Sequence, residues 1–257
     1  MAYSVKLLLI FLITLPASLI AIFLGPFDRL GKRSYNISRL WTWSILRICG
    51  IQIKLNGLER LEQQRPYIFM ANHQSNIDIP VLVQSLRPFQ LRWIAKKELL
   101  LVPFSGWAMW ASKHIVVDRA NRSRAMASLR KARERIEGGI SVVLFPEGTR
   151  SADGRLLPFK SGGFILAIKT RTPIVPIAIN GSGALLPRGD WRVRSGEVEV
   201  TVGEPVVLER YSSGTIRRLS GHVRAFMESQ LESGQRPDTD GANNIPASTA
   251  AQSWVER

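Results

Sequence analysis

The sequence predicts an α/β fold in which a mixed, largely parallel sheet is covered by helices and preceded by a membrane-associated helical segment. Short apolar, β-branched runs alternate with helical periodicity between residues 51 and 233. The chain has 257 residues, which is enough to bury a full core. Apolar and aromatic side chains dominate the first 50 residues. We therefore expect an N-terminal membrane-anchoring helical segment at 1–50, one α/β domain at 51–233 and a disordered tail at 234–257.

The first element is an apolar stretch at residues 5–27 whose only charged residue is Lys6. A helix of this length can cross a bilayer, and Pro16 could kink it or mark a hairpin bend. Three interpretations are open: a transmembrane helix, an interfacial helix or a cleaved signal peptide. The signal peptide is the least favoured of the three, because the apolar stretch is long for one. By the positive-inside rule, the basic residues that follow predict that the body of the protein is cytoplasmic: Arg29, Lys32, Arg33 and Arg39.

Residues 34–50 predict a second helix with an apolar stripe at helical spacing: Ile37, Trp41, Ile45 and Ile48. The stripe could face the protein core. Alternatively, the helix could lie at the membrane interface, with its tryptophans at headgroup level and Arg39 and Arg47 reaching toward water. We favour the interfacial arrangement because the preceding segment already lies beside the bilayer.

The rest of the chain alternates between two kinds of element. Candidate strands lie at 51–55, 67–71, 90–95, 114–117, 141–145, 174–180 and 197–202. Candidate helices lie at 77–86, 98–111, 122–137, 162–171 and 214–233. Such alternation is typical of a parallel or mixed sheet with helices on both faces.

A formal net charge of +15 implies an anionic partner, which could be nucleic acid, an anionic membrane surface or a phosphorylated substrate. The single cysteine, Cys49, excludes an internal disulfide, and no Cys/His spacing resembles a zinc site, so we expect no metal. One group of basic residues is expected to hold the protein against anionic lipid: Arg92, Lys96, Lys113, Arg119 and Arg122.

The first chemically informative stretch, Asn72-His73-Gln74-Ser75-Asn76-Ile77-Asp78, directly follows the apolar run at 67–71. His73 is expected in a strand-to-helix turn, with Asp78 opening the next helix. A carboxylate placed there can accept the Nδ1–H of the imidazole and leave Nε2 as a general base. The spacing alone also allows a helix-capping aspartate beside an incidental histidine.

The second stretch, Phe145-Pro146-Glu147-Gly148-Thr149-Arg150-Ser151, follows the strand predicted at 141–145. It predicts a turn that presents Glu147, backbone amides and Arg150. A guanidinium group fits phosphate oxygens bidentately, so Arg150 is a candidate phosphate ligand. The alternative is a solvated turn with an ordinary surface ion pair.

Taken together, these two stretches resemble the glycerolipid acyltransferase family in their residues, their order and their separation of about 70 positions. Two further blocks match less specifically. One runs from Lys97-Glu98-Leu99 through 103–107 to 114–119, and the other is 174–179. The resemblance covers about residues 50–205.

The resemblance implies transfer of a fatty acyl group from acyl-CoA or acyl carrier protein to the free hydroxyl of 1-acyl-glycerol-3-phosphate, giving phosphatidic acid without a cofactor. In this scheme His73 and Asp78 are catalytic, and Arg150 and Arg119 bind the acceptor phosphate. Backbone amides near Gly148, or the Lys97 side chain, would stabilise the oxyanion. Glu147 would position the acceptor or order the turn, in which Thr149 also lies.

Two other functions remain open. An enzyme of the same mechanism could act on another lysolipid, such as a lyso-ornithine lipid, although a phosphate-free acceptor would leave Arg150 and Arg119 without their ligand. A basic nucleic-acid-binding protein is a more distant alternative, because it leaves the N-terminal apolar stretch unexplained. No Gly-x-Ser-x-Gly motif is present, which disfavours an α/β-hydrolase.

Overall fold

A computed structural model describes residues 3–117 and 122–231 and confirms the α/β class. Its mixed sheet has seven strands, in the spatial order β1-β7-β6-β2-β5-β3-β4. The strands are β1 Ile51–Asn56, β2 Ile68–Ala71, β3 Leu91–Lys96, β4 Ile115–Val117, β5 Ser141–Leu144, β6 Ile174–Asn180 and β7 Gly196–Val202. Each lies within one residue of its predicted bounds. The predicted tail at 234–257 lies outside the described residues.

Most neighbouring strands are parallel. β6, β2, β5, β3 and β4 all run in one direction. β7 pairs antiparallel with β6 and parallel with β1, so these last two strands run the opposite way. The carboxyl ends of the five parallel strands therefore meet at one edge of the sheet.

The helices are α1 Tyr3–Leu24, α2 Lys32–Cys49, α3 Asp78–Ser85, α4 Ser105–Ala111, α5 Arg122–Glu137, α6 Gly162–Thr170, α7 Ser182–Leu185 and α8 Ile216–Gln230. The helix predicted at 98–111 is shorter than expected, because Lys97–Leu101 is a 3₁₀ turn that ends at an extended Val102. Pro103 disfavours helical backbone at that preceding residue. The four-residue α7 has too few residues to give a periodic pattern, and it was not predicted.

Two hydrophobic clusters cover the two faces of the sheet. On one face, side chains of α2 and α3 such as Leu46 and Leu82 pack against the strands. On the other face, side chains of α5, α6 and α8 such as Ile136, Phe164 and Val223 do so. The all-buried pattern of β2, β5 and β6 follows from this two-sided covering.

Helix α1 lies along the domain and touches it near both ends. Near its start, the Lys6 ammonium group donates to the carbonyl oxygens of Cys49 and Val193, each at 3.2 Å. At its far end, Gly25 packs so closely on α4 that a Cβ atom there would lie 2.8 Å from the Cβ of Ala111. Lys6, the only charged residue of the apolar stretch, is therefore buried in the protein. Tyr3–Phe27 is the one segment in the described part that is long and apolar enough to cross a membrane.

Helix α2 combines both predicted arrangements. Leu46 and Cys49 are buried in the core, while Leu40 and Trp43 are exposed. The predicted stripe faces α1 at Trp41, whose indole N–H donates to Thr14 Oγ1 at 2.9 Å.

Two basic residues expected near the membrane bond to the protein instead: Arg39 was expected to reach toward water and Arg92 to contact anionic lipid. Arg39 donates to the carbonyl oxygens of Arg87 and Phe89. Arg92 is fully buried, donates to the carbonyl of Leu30 and stacks on the Tyr35 ring. Burial lowers the pKa of Arg92 to about 10, which still leaves it charged at neutral pH. The predicted lipid contact of Arg92 was wrong because this guanidinium ties the α1–α2 connection to the sheet.

Candidate active site

The candidate site lies where parallel strands β2, β5 and β3 end side by side. The residues that follow them are those singled out in the sequence: His73 after β2, Glu147 after β5 and Lys97 after β3. Asn72 fixes the end of β2, because its side-chain amide donates to the Ile179 carbonyl at 2.9 Å and accepts the Ile179 N–H at 2.7 Å. This pair of bonds joins the start of the His73 loop to β6.

His73 and Asp78 are in direct contact. The Nδ1 atom of His73 lies 2.8 Å from Oδ2 of Asp78, whose side chain is fully buried. The same oxygen accepts the backbone N–H groups of Gln74 at 2.8 Å and Ser75 at 2.9 Å. Three donors thus hold this carboxylate at the first residue of α3, where the helix dipole also favours a negative charge. Asp78 engages Nδ1, so Nε2 is the nitrogen left for a substrate.

The imidazole ring of His73 is also held on its face. It stacks on Phe145, with ring centroids 3.7 Å apart and planes 5° from parallel. Its side chain retains 13% exposure, so the ring is oriented by packing yet reachable from solvent. This geometry suits a general base more than a capped helix with an incidental histidine.

Glu147 connects three segments of the site through its carboxylate. One oxygen accepts the backbone N–H of His73 at 2.7 Å, and the other accepts the N–H of Leu157 at 2.9 Å. The side chain is buried, and this burial raises the pKa of Glu147 to about 7. Both carboxylate oxygens bond to the backbone, so the contacts favour the ordering role over direct contact with the acceptor.

The turn after β5 is tightly built and bonded to the His73 loop. Gly148 adopts a positive φ of 73°, and its N–H donates to the Phe145 carbonyl at 3.0 Å. Of the backbone amides near Gly148 that were expected to serve an oxyanion, the amide of Gly148 itself is therefore already bonded within the turn. The N–H of Ser151 donates to the His73 carbonyl at 2.8 Å, which joins the two sequence motifs directly. Thr149 is exposed and Arg150 is half-buried at this edge.

The other two predicted residues are less closely placed. Lys97 is exposed and opens the 3₁₀ turn after β3, the strand next to β5, so it lies at the correct edge. Arg119 lies outside the described residues. His114 is half-buried and its Nδ1 accepts the Trp93 N–H at 3.1 Å, and burial of the ring lowers the pKa of His114 to about 3.

Sequence reasoning did not find Arg224. This residue of α8 donates to the carbonyl oxygens of Leu156 at 3.1 Å and Leu157 at 2.9 Å. It thereby holds the segment whose N–H binds Glu147. No local pattern could have indicated this role, because Arg224 and Glu147 are brought together only by the fold. The role of Asn72 could have been predicted from the sequence, since Asn72 is an amide residue placed directly after a buried strand.

An apolar cleft opens beside the site on the α5–α6 side of the sheet. Phe145 and Pro146, which lead into Glu147, form part of its wall. Its other apolar lining residues are Ile94, Ile115, Val117, Leu129, Ala132 and Leu144. The cavity volume is about 40 Å³, so the cleft has room for only a few atoms of a hydrocarbon group.

Comparison with known proteins agrees with this geometry. The Acyltransferase family profile matches residues 52–180, a range that contains both motifs. A chloroplastic 1-acyl-sn-glycerol-3-phosphate acyltransferase from Brassica napus is 35% identical over 183 residues, which is 70% of this chain and 52% of the relative. A 1-acyl-sn-glycerol-3-phosphate acyltransferase from Salmonella typhimurium is 32% identical over 71% of this chain and 74% of its own length. The chain thus spans about half of the plant relative and about three quarters of the bacterial one.

The fold has a solved counterpart as well. The crystal structure of the 1-acyl-sn-glycerophosphate acyltransferase PlsC from Thermotoga maritima matches with a TM-score of 0.65 and 28% identity. The match covers 88% of this chain and 95% of that protein, so it includes helices as well as the sheet. The family profile, the relatives and the fold all confirm the resemblance seen in the two motifs, and this chain belongs to the acyltransferase family.

Proposed function

We propose that this protein is a 1-acylglycerol-3-phosphate O-acyltransferase that makes phosphatidic acid. It takes the acyl group from acyl-CoA or acyl carrier protein. The observation that carries this proposal is the contact between His73 and Asp78 at the same sheet edge as the Arg150 turn. The names of the relatives support the choice of 1-acyl-glycerol-3-phosphate as acceptor.

His73 acts as the general base. The Asp78 carboxylate accepts the Nδ1–H, which fixes the tautomer with Nε2 as the proton acceptor. Nε2 removes the proton from the free hydroxyl of the acceptor as that oxygen attacks the thioester carbonyl. The buried negative charge of Asp78 stabilises the imidazolium that forms.

The transfer then needs no protein nucleophile. Attack by the hydroxyl oxygen forms the new C–O bond and a tetrahedral oxyanion. Collapse of this intermediate breaks the C–S bond, and the thiolate leaves with the proton that His73 took up. Because the Gly148 amide itself is bonded within its turn, the candidates for the oxyanion are the neighbouring backbone amides of the turn and the Lys97 ammonium group.

The acceptor phosphate is assigned to Arg150. This arginine follows Glu147 by three residues, and its turn is bonded to the His73 loop through Ser151. A guanidinium on the loop bonded to the base suits an acceptor in which the hydroxyl and the phosphate share one glycerol unit. A phosphate-free lysolipid would use the same base but not this cation.

We assign the protein to the inner membrane, with its catalytic domain on the cytoplasmic side. Helix α1 touches the domain near both ends, which supports a helix lying in one leaflet rather than spanning the bilayer. Its outer face carries exposed apolar side chains at helical spacing: Leu8, Phe11, Leu12, Leu19 and Phe23. Exposed aromatic residues of α2 and α4 extend this surface: Trp43, Trp107 and Trp110. Such a surface favours a lipid partner over nucleic acid.

The test is an acyl-transfer assay with purified protein, using lysophosphatidic acid, a lyso-ornithine lipid and monoacylglycerol as acceptors. Each acceptor is paired with acyl-CoA and with acyl carrier protein as donor. We expect product with lysophosphatidic acid, and none with any acceptor in the His73→Ala variant. Turnover of the phosphate-free acceptors alone would overturn the assignment of the acceptor.

A further inference from the structure

We propose that Arg188 binds the phosphate of the acceptor lysolipid together with Arg150. This inference rests on the proposed function and deepens it. Arg188 lies outside both sequence motifs and also beyond residues 52–180, the range that the family profile matches. The path of the chain after β6 brings Arg188 back to the site.

The segment that carries Arg188 is fixed against the His73 loop. After β6 the chain turns at Gly181, whose φ is 85°, and forms α7. Gly183 of α7 packs so closely that a Cβ atom there would lie 3.2 Å from Oε1 of Gln74. The hydroxyl group of Ser75 then donates to the Leu186 carbonyl at 2.7 Å. The chain therefore passes over the loop that contains the base.

Two residues later the same segment reaches the other motif. The Nη1 atom of Arg188 donates to the carbonyl oxygen of Arg150 at 3.2 Å. Residues 186–188 thus contact both motif loops, and the guanidinium of Arg188 lies at the turn that presents Arg150.

The charges of these loops favour an anionic ligand. Two neighbouring arginines are paired with carboxylates, Arg155 with Asp153 at 3.8 Å and Arg192 with Asp190 at 3.0 Å. Within residues 3–117 and 122–231, neither Arg150 nor Arg188 has a carboxylate oxygen within 4 Å of its guanidinium. The Nη1 atom of Arg188 lies against the backbone of Arg150, so a phosphate dianion bound there could be reached by both guanidinium groups, whose fork of donors matches phosphate oxygens.

The dianion could be the phosphate of the acceptor or one of the phosphates of CoA. The placement of the segment favours the acceptor. Five residues beyond Arg188, the Val193 carbonyl accepts the Lys6 ammonium group of α1 at 3.2 Å. The segment therefore runs from the site to the helix that we assign to the membrane, which is the direction from which an amphiphilic acceptor enters.

The experiment compares Arg188→Ala with Arg192→Ala. Arg192 is the matched control because it is exposed in the same segment and is already paired with the Asp190 carboxylate. We expect Arg188→Ala to raise the KM for lysophosphatidic acid roughly tenfold to a hundredfold, as for loss of a charge-assisted hydrogen bond, with the donor KM unchanged. Arg192→Ala should leave both values unchanged, and Arg188→Lys should fall between wild type and Arg188→Ala. An unchanged acceptor KM, or a rise confined to the KM for acyl-CoA, would overturn the proposal.

A binding assay separates this inference from the proposed reaction. In the His73→Ala background, binding of lysophosphatidic acid and of monoacylglycerol in mixed micelles is compared with and without Arg188→Ala. We expect the phosphate-bearing lipid to bind more tightly, and Arg188→Ala to remove most of that preference. A preference that survives the substitution would contradict the role of Arg188, even if wild-type protein turns over another acceptor.

Discussion

The imidazole of His73 and the carboxylate of Asp78 meet at 2.8 Å, and the same carboxylate oxygen also accepts two backbone N–H groups of the intervening loop. The loop between the two residues is therefore folded around the carboxylate. Within the described residues, the second oxygen of Asp78 is buried without a hydrogen-bond partner. A buried oxygen without a partner costs stability. In the proposed mechanism the negative charge of Asp78 offsets this cost, because it stabilises the positively charged His73.

Replacing Asp78 with asparagine should therefore separate geometry from charge. The asparagine oxygen can still accept the N–H groups of the loop, so we expect the fold to persist. The kcat should fall by about 10³-fold or more, as for other catalytic histidines that lose their carboxylate, while the acceptor KM changes little. His73→Ala should lower kcat at least as far. Circular dichroism checks the fold, and wild-type-like turnover of either variant would refute the proposed base.

Glu147 should make stability depend on pH. Burial raises its pKa to about 7 in the folded protein, above the ordinary value of 4.5. A carboxyl group with a raised pKa binds its proton more tightly when folded, so its contribution is present below about pH 4.5 and is lost as the pH rises through about 7. We expect the free energy of unfolding to fall over this interval by a few kcal/mol at most. Urea unfolding at pH 5, 6, 7 and 8 measures it.

The variant for this test is Glu147→Gln, with the exposed Glu62→Gln as control. The amide does not titrate, so the pH dependence should be flatter than in wild type and in the control. It also has one acceptor oxygen for the two N–H groups of His73 and Leu157, which should cost about 1–3 kcal/mol at every pH. Parallel pH profiles for wild type and Glu147→Gln would show that Glu147 does not titrate as described.

Arg150→Ala should weaken binding of the acceptor but not of the donor. Loss of a charge-assisted contact to phosphate is worth about 1.5–3 kcal/mol, so we expect the KM for lysophosphatidic acid to rise roughly tenfold to a hundredfold. The control is Arg155→Ala, because Arg155 is exposed on the same loop and is already near Asp153. Steady-state kinetics with each substrate varied in turn make the measurement. An acceptor KM equal to that of the control would remove Arg150 from the phosphate site.

Much of the fold and the closeness of His73 and Asp78 could be predicted because the relevant signals are local. The buried strands are continuous apolar runs, and His73 and Glu147 each follow one of them directly. Parallel strands place their carboxyl ends together, so the two motifs had to share an edge. The same reasoning could not find Arg224 or Arg188, whose contacts join residues far apart in the sequence.

Charge was the least reliable guide to position. Arg39 was expected to reach toward water at the membrane interface and Arg92 to contact anionic lipid, yet both donate to backbone carbonyl oxygens within the protein. A basic residue can bond to the orphan carbonyls of a helix end or loop as readily as to a lipid phosphate, and composition does not distinguish the two. The exposed apolar residues of α1 are the better indicator of the membrane surface.

Phe23 can test whether the exposed apolar face of α1 contacts the membrane. This residue is 73% exposed on α1, where we place the membrane contact, so Phe23→Glu adds a charge without disturbing the core. The matched control is Val207→Glu, since Val207 is 51% exposed just after β7 rather than on the proposed membrane surface. We expect Phe23→Glu to weaken sedimentation with anionic vesicles roughly tenfold, because it places a charge in the acyl region and beside anionic lipid. Val207→Glu should bind as wild type does. Equal vesicle binding by both variants would mean that α1 does not enter the leaflet.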